Sequence, residues 1–214
     1  MIPEEKKIAF FDRLQKIFGD MDRKYDIAAQ SYGFQCRGCE ENCCRTRFYH
    51  HTYLEYLYLR QGFESLDASQ QRALRTVAAE VCRQTELADN EGRTVRLMCP
   101  LNKDGMCALY AFRPMICRLH GIPHELQKPG RPVMYGPGCG IFEQECSAKP
   151  YFKFDRTRFY FEMARLENEF KQAAGLNGRI RLTIAEMLCA KRMGPRAWGR
   201  GHGVRRIAQR EENR

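Results

Sequence analysis

Four cysteines crowd into nine residues near the start of the chain, as Cys36-x2-Cys39-x3-Cys43-Cys44. Two cysteines separated by two residues can place both sulfurs on one metal while backbone N–H groups point at the thiolates. Zinc knuckles and iron–sulfur loops share that local geometry. The adjacent pair carries different information. Neighbouring side chains diverge, so Cys43 and Cys44 suit two metals or a polynuclear cluster better than a single mononuclear ion.

A second group follows in Cys99-Pro-Leu-Asn-Lys-Asp-Gly-Met-Cys107 and Tyr110-Ala-Phe-Arg-Pro-Met-Ile-Cys117-Arg. Asn102 to Gly105 reads as a tight turn that folds Cys99 back toward Cys107. Pro114 suits the first turn of a short helix presenting Cys117. The third group is Gly136-Pro-Gly-Cys139-Gly, with Cys146 beyond it. Cys36, Cys39, Cys43, Cys44, Cys99, Cys107, Cys117 and Cys139 supply enough thiolates for two sites of four ligands, and Cys146 is a spare or substitute ligand. His120, three residues past Cys117, is a further candidate to ligate or orient a ligand. His50 and His51 read as surface residues.

A buried four-thiolate zinc or cubane site carries about two negative charges and needs donors and cations nearby. Arg37, Arg45, Arg47, Arg113 and Arg118 all lie close to a cysteine in sequence. They account for part of the formal charge of +10 and the pI near 9.2 without invoking nucleic acid, which stays an admitted but disfavoured partner.

The elements that must position these groups are mainly helical. Ile8, Phe11, Leu14, Ile17, Phe18, Met21 and Tyr25 recur at helical spacing and predict a helix over 4–30 that ends at Gly33. Thr52 with Glu55 signals a helix start, with a stop near Gly62, and Asp67 with Gln70 signals another. The latter carries Leu74, Val77, Ala78, Val81 and Leu87 on one face, bordered by Cys82. A long helix is expected over 153–173, ended by Gly175, and Thr183 with Glu186 caps a last one through Met193. Cys82 and Cys189 fall on these helices and read as small core hydrophobes outside the site. Residues 92–150 are punctuated by Gly and Pro and cannot form long helices or central strands. Ligand bonds can organise such a region where apolar burial is lacking. The expected architecture is therefore mainly α, with an irregular Gly/Pro-rich region organised by metal and minor short β elements. A single cysteine-cluster domain spans 1–193, and 194–214 forms a basic tail with six arginines against two glutamates.

No apolar run approaches the length of a membrane span, and Met1 to Phe11 lacks the apolar stretch of a secretory signal. The expected location is the cytoplasm, where clustered thiols read as metal ligands rather than disulfides.

The stretches Phe34 to Arg45 (FQCRGCEENCCR), Cys99 to Arg118 (CPLNKDGMCALYAFRPMICR) and Gly136 to Gly140 (GPGCG) resemble the CxxCxxCC, or YkgJ-like, cysteine-cluster family of zinc- or iron-chelating proteins. The second stretch is the most specific. The chain departs from the pattern by one additional residue between Cys39 and Cys43. The resemblance implies metal chelation and, through a branch similar to flagellin lysine N-methylases, a methylase-like enzyme as one alternative. The radical S-adenosylmethionine triplet spacing is not matched, and no Gly-rich strand-to-helix turn marks an ordinary nucleotide or methyl-donor fold.

The reading that joins these features is a metal-binding protein holding an iron–sulfur centre, or otherwise zinc. Its role would be redox or protein-modifying, served by a protein or redox partner. The second alternative is a structural zinc module that binds a macromolecule.

Overall fold

The computed structural model describes residues 2–36 and 43–190. Cys39, Arg37 and the basic tail with His202 lie outside the described residues.

A 29-residue helix, α1 (Glu4–Tyr32), forms one long side of the molecule. Its apolar stripe of Phe11, Leu14, Phe18 and Met21 is buried, as the 3.6-residue spacing requires. Glu4 and Glu5 in its first turn complement the helix dipole. At the other end Gly33 adopts the left-handed conformation and donates to the last carbonyls. The next helix, α2 (Tyr53–Glu64), starts at Thr52, whose hydroxyl accepts the Glu55 N–H. It ends at Glu64, two residues past Gly62. Gly62 lies inside the last turn because the Phe112 ring packs directly over its Cα. Close packing, not chain termination, explains that glycine.

Helix α3 (Ala68–Asn90) opens with the Asp67–Gln70 capping box. Of the stripe read in sequence, Leu74 and Val81 pack against the core and Ala78 is buried. Val77 and Leu87 are about half exposed, and Ala78 and Ala88 are the buried positions. Helix α6 (Thr157–Ala174) buries Phe159, Met163, Leu166 and Phe170. It begins later than expected because Phe154 and Arg156 are taken up by a pairing with Glu125. The last described helix, α7 (Ile184–Cys189), is capped by Thr183 and Glu186. Leu14, Phe18, Met21, Leu54, Leu59, Phe63, Leu166, Phe170, Met187 and Leu188 meet in one core.

The Gly/Pro-rich stretch lies across these helices as two antiparallel hairpins and two short helices. One hairpin joins β1 (Asn102–Lys103) to β2 (Met106–Cys107), and the other joins β3 (His124–Gln127) to β4 (Val133–Gly136). Between them α4 (Met115–Leu119) packs on α1, and after them comes α5 (Gly140–Cys146). Arg156 is 2% exposed. It donates to the carbonyls of Leu119 and Ile122, and burial brings its pKa down to about 10. A guanidinium thus supplies the carbonyl partners that this helix-poor segment cannot supply itself. Among the described residues no helix is long and apolar enough to cross a membrane.

Candidate metal centre

The thiols converge on one cavity of about 440 Å³, lined by Cys36, Cys43, Cys44, Cys99, Cys107 and Cys117. The first and second cysteine groups, more than fifty residues apart in sequence, therefore meet in one region. All ten described cysteines are free thiols.

Each element delivers its sulfur by local rules. Cys43 and Cys44 sit in a 3-10 turn, Cys43–Arg45, and the Cys44 carbonyl accepts the Cys99 N–H at 2.8 Å. One backbone hydrogen bond thereby ties the two groups together. The β1–β2 hairpin turns at Asp104 and Gly105, both at positive φ, and the Asn102 side chain accepts the Gly105 N–H at 3.2 Å. This is the tight turn that returns Cys107 to Cys99. Backbone N–H groups of Leu101 and Asn102 stabilise the Cys99 thiolate, and that of Leu109 stabilises Cys107. Such N–H···S donors orient thiolate ligands and offset their charge. Cys117 rides on α4, whose first N–H, Met115, is capped by the buried Glu55 carboxylate at 2.8 Å.

Two overlapping thiol sets can be distinguished. In the first, every pair among Cys44, Cys99, Cys107 and Cys117 is close enough for one thiolate to raise the pKa of another. Burial raises all three of Cys99, Cys107 and Cys117, with Cys99 pushed up to about 12. Cys44 moves the other way, down to about 6, because it accepts a hydrogen bond from the Cys43 thiol and is further favoured by Asn102 and Arg113. Donating to Cys44 raises the Cys43 pKa, and burial raises it further. The second set surrounds Tyr25. Its phenol is held protonated first by burial and then by Cys36, Cys139 and Cys43. Tyr25 Oη also stands over Gly121, whose φ of +118° and carbonyl, bonded to the Cys139 N–H at 2.9 Å, fix the third cysteine group.

Cys43 and Cys44 touch each other and share Cys117 as a neighbour, but Cys44 also lies with Cys99 and Cys107 while Cys43 also faces Cys36. Among the described residues, no three His, Cys, Asp or Glu side chains stand in a geometry that would itself hold a metal ion. The sulfurs share a neighbourhood without closing on a common point.

No protein-family model, curated protein or solved structure matches this chain.

The other candidates divide clearly. Cys146 does not line the cavity; it is 4% exposed and its thiol donates to the Tyr32 carbonyl at 3.7 Å. Of the arginines, Arg113 lowers the pKa of Cys44 and Cys107, and Arg118 lowers Cys107. Arg118 spends its donors on Asp22 and on the carbonyls of Ala111 and Arg113, holding the turn before α4. Arg47 is engaged by Asp89 through a bidentate pair. Arg45 lines the cavity with its Nε buried and unpartnered.

One further residue corrects the sequence reading. His50 is 2% exposed rather than on the surface, because its backbone pairs with Leu182 in both directions. Burial lowers its pKa to about 4, and its Nε2 lines the cavity without a hydrogen-bond partner. His120 also lines it, edge-on to Phe48 at 5.2 Å, with its pKa lowered by burial. Tyr25 was legible only as a helix-face residue, since nothing in its own neighbourhood in sequence announces cysteines. Cys82 is half-buried and packs against the core as read from sequence, whereas Cys189 is exposed.

Proposed function

We propose that this chain is a metal–thiolate protein in which Cys44, Cys99, Cys107 and Cys117 hold one centre, with Cys36, Cys39, Cys43 and Cys139 available to a second or to an enlarged cluster. The observation that carries this reading is the mutual proximity of all four thiols of the first set around one cavity. Free thiols gathered in low-dielectric surroundings repel as thiolates, and a cation is the ordinary compensation for that cost. The donor set fits iron–sulfur and zinc alike in chemistry. The adjacent Cys43 and Cys44 share Cys117 and reach different further thiols, which favours a polynuclear iron–sulfur centre over a lone zinc ion. Such a centre supplies one-electron redox chemistry when bound.

The residues of the chain have defined tasks in this reading. Leu101, Asn102 and Leu109 donate N–H groups to sulfur, Arg113 offsets thiolate charge, and Glu55 holds the helix that carries Cys117. His50, kept neutral by burial, lines the cavity and has its Nε2 unpartnered, so it is suited to ligate or to form a hydrogen bond there. An unidentified protein or redox partner is implied by the redox role. Anaerobic purification followed by metal and acid-labile sulfide analysis tests the assignment. Iron with sulfide and broad visible absorption supports it; a colourless zinc protein replaces the iron–sulfur centre with a structural one.

A further inference from the structure

Outside the cavity, two cysteines that sequence reading set aside lie side by side. Cys82 Sγ, midway along α3, is 4.0 Å from Cys189 Sγ, at the end of α7. The two are 107 residues apart in sequence, so the fold and not chain proximity joins them. Neither lines the thiol cavity. Cys189 is exposed and Cys82 is half-buried. A disulfide requires sulfurs about 2.05 Å apart, so the bond forms by an approach of about 2 Å, within reach of side-chain rotation.

We propose that Cys82 and Cys189 form a reversible dithiol–disulfide modification site, oxidised by small hydroperoxides, that fastens α7 to α3. Cys189 is the attacking thiol because it is the one that solvent and oxidant reach. Cys82 keeps its proton, its pKa pushed up to about 12 by burial and by Cys189 itself. In the first step the Cys189 thiolate attacks the O–O bond. An S–O bond forms, the O–O bond breaks, and the released alkoxide takes up the thiol's proton, giving the sulfenic acid and an alcohol, or water from hydrogen peroxide. In the second step the Cys82 sulfur displaces the sulfenic hydroxyl. The S–S bond forms and the thiol hydrogen leaves with the hydroxyl as water. Two electrons pass from the thiol pair to the peroxide, and a dithiol reductant returns them.

The position of the pair gives the bond a consequence. Val81 and Thr85 of α3, together with Thr183, Ile184 and Ala185 at the start of α7, line the thiol cavity. A covalent link between the two helices fixes that wall. The modification itself does not rest on the metal reading; only its effect on the cavity's occupant does.

The test uses the full-length protein as purified, first reduced and freed of reductant, then given stoichiometric hydrogen peroxide, alkylated and digested without reduction. The expected product is a Cys82–Cys189 linked peptide that dithiothreitol abolishes. Amide exchange over 184–189 should slow at least about tenfold in the oxidised form, since local opening of α7 is then tethered. C189S should yield no linked peptide, and as an exposed, near-isosteric change it leaves the fold intact. Cys82 alkylated equally before and after peroxide, Cys189 recovered as the sulfinic acid or linked to a cavity cysteine, or unchanged exchange in α7 would each overturn the proposal. None of these readouts requires bound metal, so failure of the metal assignment would register separately.

Discussion

The Glu55 carboxylate, buried near the start of α2, accepts the backbone N–H of Met115 at 2.8 Å while its other oxygen accepts the Thr52 hydroxyl. One side chain thus serves the helix it belongs to and caps the short helix that carries Cys117, two residues beyond Met115. Replacing it by Ala leaves a buried N–H unpartnered and should cost about 2–3 kcal/mol. Glu55→Gln, which keeps one acceptor, should cost about 1 kcal/mol. Chemical denaturation compares the two variants, and equal losses would show that the cap is immaterial.

Gly121 is where backbone conformation and the second thiol set meet. An alanine there would suffer an unfavourable φ of +118° and place its Cβ 2.9 Å from Tyr25 Oη. Gly121→Ala should destabilise by roughly 2 kcal/mol. Adding Tyr25→Phe removes the oxygen but not the backbone strain, and should restore about half of that loss. No recovery in the double variant would mean that the clash contributes nothing.

Glu167 gives the fold a pH dependence of known sign. Its carboxylate accepts the N–H groups of Tyr53 and Leu54, yet burial pushes its pKa up from 4.5 to about 7. The folded state therefore holds this proton more tightly than the unfolded chain does. Its stabilising contribution is full below pH 4.5 and falls as pH rises toward 7, by at most roughly 3 kcal/mol. Glu167→Gln should flatten the stability curve in that window, as seen by urea denaturation at a series of pH values. An unchanged slope would remove Glu167 as its source.

Cys146 should be separable from the proposed metal centre. Its thiol is buried against the Tyr32 carbonyl and away from the cavity, so Cys146→Ala should cost about 1 kcal/mol and leave metal content unchanged. Loss of metal in this variant, measured by elemental analysis, would return Cys146 to the ligand set.

Helices were legible in the sequence wherever a stripe and a cap agreed. Phe11, Leu14 and Phe18 with Gly33 fixed α1, and Asp67 with Gln70 fixed the start of α3. Where the structure differs the cause is tertiary: Val77 reads as core until α7 is seen to cover a neighbouring face of α3. The cysteine motifs were recognisable because their spacing is local, and the fold brings Cys36, Cys43, Cys44, Cys99, Cys107 and Cys117 to one cavity. His50 and Tyr25 were not recognisable, since one is buried by pairing with Leu182 and the other meets Cys36 and Cys139 only in the folded chain. The proximity of Cys82 to Cys189 is likewise a product of how α3 and α7 pack.

The central claim is that Cys44, Cys99, Cys107 and Cys117 bind metal together, and cobalt(II) titration of the reduced, metal-free protein tests it most directly. Thiolate-to-cobalt charge-transfer absorption reports how many sulfurs bind each ion, and the visible bands report tetrahedral geometry. The wild-type protein should saturate with an intensity typical of four thiolates per ion, and serine at any one of these four positions should lower that intensity or abolish tight binding. A flat titration of the wild-type protein, or a four-thiolate spectrum that survives all four substitutions, would contradict the assignment.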